Sequence, residues 1–216
     1  MDNKAKRLLA RFEEAFNGLS QAVDRFPWED RTAYAHWIGQ TYYFVDHTTV
    51  FLSLIAAKYG IEAKRAHLET LHHLREESGH EKMALADLKA MGFEISQIPE
   101  LGETALLYQN QYYWIERRGP TSHAGYSLML EGIAGRQGDK ITKRIEQAHG
   151  KGTAKFLKVH VTADKDHFAE GVERLSHASD TEIEQVLKNL DQSCLLYQAM
   201  LNAIVAHCYG MKKKAA

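Results

Sequence analysis

Apolar residues recur at three- and four-residue spacing along almost the whole of the 216-residue chain, and no stretch alternates strictly for long enough to prefer a strand. That periodicity restricts the fold to packed helices, so an all-α bundle of about seven to eight helices around one core is expected. A first helix is expected over 3–24, with Leu8, Leu9, Phe12, Phe16, Leu19 and Val23 inward and the Phe26-Pro27 pair closing it. Asp30 suits the cap of a second helix that runs to Tyr59, and a third is expected over 62–91, ending at Gly92. Further helices are expected over 103–117, 121–135, 138–149, 153–176 and 180–210, broken at Gly119-Pro120, capped at Ser179 or Asp180 and stopped at Gly210. With no internal repeat, linker or low-complexity tract, residues 1–216 read as one domain.

Composition removes several function classes. The 27 Lys and Arg nearly balance 28 Asp and Glu, so no global basic field recruits nucleic acid or an anionic membrane; the Lys212-Lys213-Lys214 run reads as a solvated end. No uncharged apolar run reaches the length of a membrane span, and the charged amphipathic start does not resemble a signal peptide. The two cysteines, Cys194 and Cys208, fall in one helical stretch and do not form a secreted disulfide framework. A cytoplasmic protein in a reducing compartment is the expectation. Histidine is the exception in an ordinary composition, with twelve residues.

Their placement carries the chemistry. At about 100° per residue, His160, Asp164 and His167 fall within an arc of roughly 60° on one helix, with Phe156, Leu157, Ala163 and Leu175 towards the same side and Asp166 pointing away. Gly171 continues the stripe and leaves room beside it. A buried carboxylate must be paired or neutralised, and two imidazoles with a metal would remove the cost. Upstream, Glu69, His73, Glu76 and His80 make a second stripe at spacings of 4, 3 and 4. It borders an apolar face assigned to Leu68, His72, Gly79, Met83 and Ala86, which favours Glu76 over Glu77 as a ligand and places Glu69 outermost. Glu131 stands alone in an apolar run whose face is made of Ala124, Ser127, Leu128 and Gly135. The competing explanations are a metal-free carboxylate–histidine network, ordinary surface pairs on the upstream stripe, and an arginine, Arg136 or Arg117, for Glu131. Together Glu76, His80, Glu131, His160, Asp164 and His167 supply three carboxylates and three imidazoles. Oxygen and imidazole donors without thiolate suit iron or manganese better than structural zinc.

The run H-x3-D-x2-H at His160, Asp164 and His167, the lone Glu131 about thirty residues earlier, and Glu76-Glu77-Ser78-Gly79-His80 upstream are similar to the heme-oxygenase-like diiron oxidases, over about Tyr34 to Leu175. That family shares the helical fold of heme oxygenase and thiaminase II. The resemblance implies two irons per chain, with Glu76, Glu131 and His160 around one and His80, Asp164 and His167 around the other. Upstream spacing varies among relatives, so His73 can stand for His80 and Glu77 for Glu76. Some members draw a further Glu from the second helix, where this chain offers Tyr43, Asp46 and His47; the departure implies a labile second iron.

The resemblance further implies an oxidoreductase in which O2 is the co-substrate and a small organic molecule is oxidised in an adjoining apolar pocket, for which Tyr43, Met83, Tyr126 and Phe168 are wall candidates. It does not name the substrate. Rivals on the same fold are a non-catalytic metal- or ligand-binding protein, a heme-binding protein using His36 or His47, and a thiaminase-like enzyme using Cys194 or Cys208. Dimers are common for the fold, which makes a homodimer an open option.

Overall fold

The computed structural model describes residues 3–215 of the backbone and the side chains of residues 5–162 and 167–210. Among the described residues there is no strand. Nine α-helices follow one another: α1 (Asn3–Arg25), α2 (Arg31–Val45), α3 (Thr48–Lys58), α4 (Lys64–Glu77), α5 (His80–Ala90), α6 (Gly102–Arg118), α7 (Ala124–His149), α8 (Lys155–Ser176) and α9 (Asp180–Ala215). None of them, over the described residues, is long and apolar enough to cross a membrane.

The first helix buries most of the expected stripe: Leu8, Phe12, Phe16, Leu19 and Val23 are all but inaccessible, while Leu9 is only partly buried. Asp30 caps α2 through Oδ1, which accepts from the backbone N–H groups of Thr32 and Ala33 at 3.0 Å each. At the other end of the chain, Ser179 and Glu182 form a reciprocal cap: Ser179 N–H donates to Glu182 Oε2 at 2.9 Å, and Glu182 N–H donates to Ser179 Oγ at 3.3 Å. Helix α9 lies against α1, α6 and α7, while α7 also packs along α8.

Four of the expected helices are divided or joined differently. The second breaks at Asp46-His47, where two poor helix formers are followed by two β-branched threonines. The third breaks at Ser78-Gly79, because Gly79 adopts φ 98°, a left-handed conformation that stops α4 and lets α5 leave in a new direction. The reverse happens at residues 136–138: the expected fifth and sixth helices are one, α7. Gly138 is not a breaker there; a Cβ on it would run into Val161 Cγ2, so its role is the close approach of α7 and α8. Tertiary contact outweighs the roughly 1 kcal/mol that glycine costs a helix. Helix α9 likewise runs through Gly210 instead of stopping there.

Candidate metal centre

The α4–α5 break sets the site. Glu77 is the last residue of α4 and His80 the first of α5, so a carboxylate and an imidazole three residues apart turn towards each other around Gly79. His80 Nδ1–H donates to Glu77 Oε2 at 2.9 Å. His160, one turn into α8, presents Nε2 3.9 Å from the same oxygen, and His73 Nε2 lies 3.5 Å from Glu77 Oε1. One ligand atom from each of Glu77, His80 and His160 falls within 4.8 Å of the others. His80 and His160 meet edge to face, with ring centres 4.7 Å apart.

Second contacts orient these groups. The Phe156 carbonyl can only accept, so His160 Nδ1 carries the proton in their 2.8 Å hydrogen bond, and Nε2 is the atom turned towards Glu77. A ring nitrogen held in this way is the usual outer support of a metal-binding histidine. Helix α8 is itself pinned where it begins. Buried Asp87 on α5 accepts from Phe156 N–H at 2.8 Å through Oδ2, which ties the helix carrying His160 to the helix carrying His80. Burial pushes the Asp87 carboxyl up, and backbone N–H groups of Phe156 and Lys155 offset part of that rise. At Glu77, burial again pushes upward, but the neighbouring imidazoles of His160, His73 and His80 outweigh it and hold the carboxyl well below the usual carboxylate range. A carboxylate among three imidazoles therefore sits at the centre.

The placement of Glu77 corrects the preference for Glu76. Glu76 is 42% exposed at its side chain, with His72 Nε2 3.3 Å and His167 Nε2 4.0 Å from it. The wheel put Leu68 and His72 on the inner face, but their exposures are 54% for Leu68 and 74% for the His72 side chain. The inward side of α4 is instead His73, Leu74 and Glu77, at helical spacing. A wheel carried through Met83 and Ala86 inherited its phase from residues beyond the break.

The remaining positions divide. Glu131, 8% exposed on α7, lines the same cavity as His73, Glu77 and His160, and the absence of a side chain at Gly171 leaves its Oε2 3.8 Å from where a Cβ would stand. Arg136, the alternative partner for Glu131, is engaged by Glu13 at 2.6 and 2.7 Å. His167 stands beside His73, with ring centres 5.6 Å apart. Asp164 lies outside the described side chains, as does Asp166. Glu69 pairs with Arg65 at 2.7 Å. Asp46 is exposed, and His47 is committed to Tyr112 Oη at 2.7 Å and stacked on Tyr108, so the α2–α3 corner does not reach the cluster.

Beside the cluster lies a cavity of about 100 Å³ walled by Trp37, Phe44, Leu52, Tyr126, Leu157 and Tyr197. Of the four expected wall residues Tyr126 is there. Tyr43 is drawn off to the Ile98 carbonyl at 2.8 Å, Met83 faces a surface groove with Lys82 and Val159, and Phe168 packs edge to face on Phe12 at 4.8 Å. Sequence reasoning missed His123, which also lines the cavity; burial, with the charge on His73 adding to it, pushes its imidazole down to about 3. Its position on a short 3-10 turn, Pro120–His123, lies outside any helical stripe. The two cysteines are buried, and burial together with the Asp191 charge pushes the Cys194 thiol up to about 12, which leaves no accessible thiolate nucleophile there.

The nine-helix arrangement is the heme oxygenase-like fold. A protein of unknown function with that fold from Shewanella denitrificans OS217 superposes with a TM-score of 0.82, at 21% identity over 94% of each chain. A TenA homolog from Pseudomonas syringae pv. tomato DC3000 superposes with a TM-score of 0.80, at 14% identity over 94% of this chain and 93% of that one. Residues 35–198 match the model of the iron-containing redox enzymes, and the chain belongs to that family. A comparison with curated proteins found no match.

Proposed function

We propose that this chain is a non-heme diiron oxidase or oxygenase that uses O2 to oxidise a small organic molecule held in the cavity beside Glu77. The observation that carries the reading is a largely enclosed carboxylate, Glu77, with three imidazoles around it at one edge of an apolar cavity. Burying such a charge is costly unless its neighbours compensate it, and the donor set, oxygen and imidazole without thiolate, fits iron. Glu77, His80 and His160 would hold one ion. Glu131, Asp164 and His167, with His73 or Glu76 completing the set, would hold the other. When bound, the irons supply the reduction of O2 and the oxidising power.

The chain's residues supply everything else. Glu77 brings negative charge to the centre, and the Phe156 carbonyl keeps His160 in the tautomer and orientation that present Nε2. Trp37, Phe44, Leu52 and Leu157 exclude water and orient the organic partner, so that it is the substrate that meets the reactive edge of the site.

Anaerobic loading with ferrous iron followed by exposure to O2 tests the proposal. Two irons per chain and iron-dependent O2 uptake are expected, with Glu77→Gln and His167→Ala each losing iron. Metal binding without O2 uptake would make the protein a non-catalytic binder instead. Unchanged iron content in both variants would sink the assignment of the ligands, and a Soret band on adding heme would redirect the function towards heme.

A further inference from the structure

The cavity wall is apolar except at a few atoms, and three of these are costly. Thr41 Oγ1 on α2, His123 Nε2 on the 3-10 turn and Tyr126 Oη on α7 belong to residues 1%, 5% and 2% exposed, and none has a hydrogen-bond partner among the described residues. Leaving a buried polar atom unsatisfied is costly. Three gathered on the lining of one cavity call for an explanation. Two of them act together: His123 and Tyr126 lie three residues apart, with ring centres at 5.2 Å. Ser127, also on the wall, stands 3.4 Å from His123 Nδ1, which leaves Nε2 as the ring atom still to be satisfied.

The same lining tells which ligand chemistry would satisfy them. Among the described residues it contains neither Lys nor Arg, so a carboxylate or phosphate brought to these three atoms would meet no cationic side chain. Its only carboxylates among the described residues are Glu77 and Glu131, which the proposed irons would claim, so an ammonium group would also go unpaired. A hydroxyl, an amide or a neutral carbonyl can exchange hydrogen bonds with an imidazole nitrogen and two hydroxyls at no charge cost.

We infer that the cavity selects a small, largely apolar substrate bearing an uncharged hydrogen-bonding group, and that Thr41, His123 and Tyr126 are its specificity-determining contacts. The inference names the substrate class for the oxidase reading and rests on it only for the commitment of Glu77 and Glu131.

Metal-free protein makes the test independent of iron. Toluene, benzyl alcohol and benzoate share one body and differ in a single group, and their binding can be measured by ligand-observed NMR at pH 7.5. Benzyl alcohol is expected to bind at least 10-fold more tightly than the other two. The nearly isosteric Thr41→Val and Tyr126→Phe, and His123→Gln, should each weaken benzyl alcohol by about 3- to 10-fold and leave toluene unchanged. Equal or tighter binding of toluene, preference for benzoate, no binding of any probe at millimolar concentration, or indifference of benzyl alcohol to all three variants would each overturn the inference. Iron stoichiometry, measured separately on the wild type, reports on the metal reading; its failure would leave the probe series intact.

Discussion

At the scale of single residues, burial makes His36 and His123 reluctant to take a proton. His36 on α2 is 3% exposed, and burial, with His207 beside it, pushes its imidazole down to about 4. In the unfolded chain the same group has a pKa near 6.5, so the unfolded state binds the proton first as pH falls. Its contribution to stability is complete above pH 6.5 and is lost progressively between there and pH 4, up to about 3 kcal/mol for this one residue. Urea unfolding at pH 7.5, 5.5 and 4.5 should therefore show a steep acid loss in the wild type and a shallower one in His36→Gln. Equal slopes would remove His36 as a cause. The residue scale is also where the sequence was least able to choose. Glu76 and Glu77 are adjacent acids with the same chemistry, and only their exposure, 42% against 12% at the side chain, separates them.

At the scale of elements, the corner between α4 and α5 does more for the site than either helix alone. Gly79 has φ 98°, and no atom stands within 4 Å of where its Cβ would be, so the demand for glycine is one of backbone conformation and not of space. Gly79→Ala is expected to cost about 1–2 kcal/mol of stability. Because His80 follows the corner directly, the same variant should weaken ferrous binding about 10-fold, whereas an alanine at exposed Gly60, with φ −74°, should leave binding unchanged. Urea unfolding and an iron titration on both variants check this; equal iron affinity in Gly79→Ala would show that the corner does not position His80. His160 and His167 both turn towards α4, beside Glu77 and His73, because α8 is continuous and its positions share one phase. Residues 69–86 share no such phase, since a helical wheel has meaning only within one helix and the break falls between Glu77 and His80.

For the whole molecule, the cluster joins three parts of the bundle: the α4–α5 corner, α7 through Glu131 and α8 through His160 and His167. A metal bound there must favour the folded chain, because the unfolded chain does not assemble the donors. At a free metal concentration 100 times the dissociation constant the gain is about 2.7 kcal/mol. Thermal unfolding of the metal-free protein should shift upward on adding ferrous iron under argon, and Glu77→Gln should abolish most of the shift. An identical rise in that variant would locate the metal elsewhere.

The all-α class, most of the helix boundaries, the inner face of α1 and the caps at Asp30 and Ser179 were determined by the sequence alone, because each depends on residues within a few positions of one another. So was the choice of α8 and Glu131 as places to look for ligands. Tertiary structure decided the rest. It joined α7 through Gly138 by packing against Val161, ended α4 at Glu77, chose Glu77 over Glu76 at the centre of the cluster, and brought Thr41, His123 and Tyr126 to one cavity from separate elements. The physical reason is common to all of these. Periodicity reports which side of a helix is apolar, but where two helices separate and which polar atoms meet across a space depends on contacts between residues far apart in the chain.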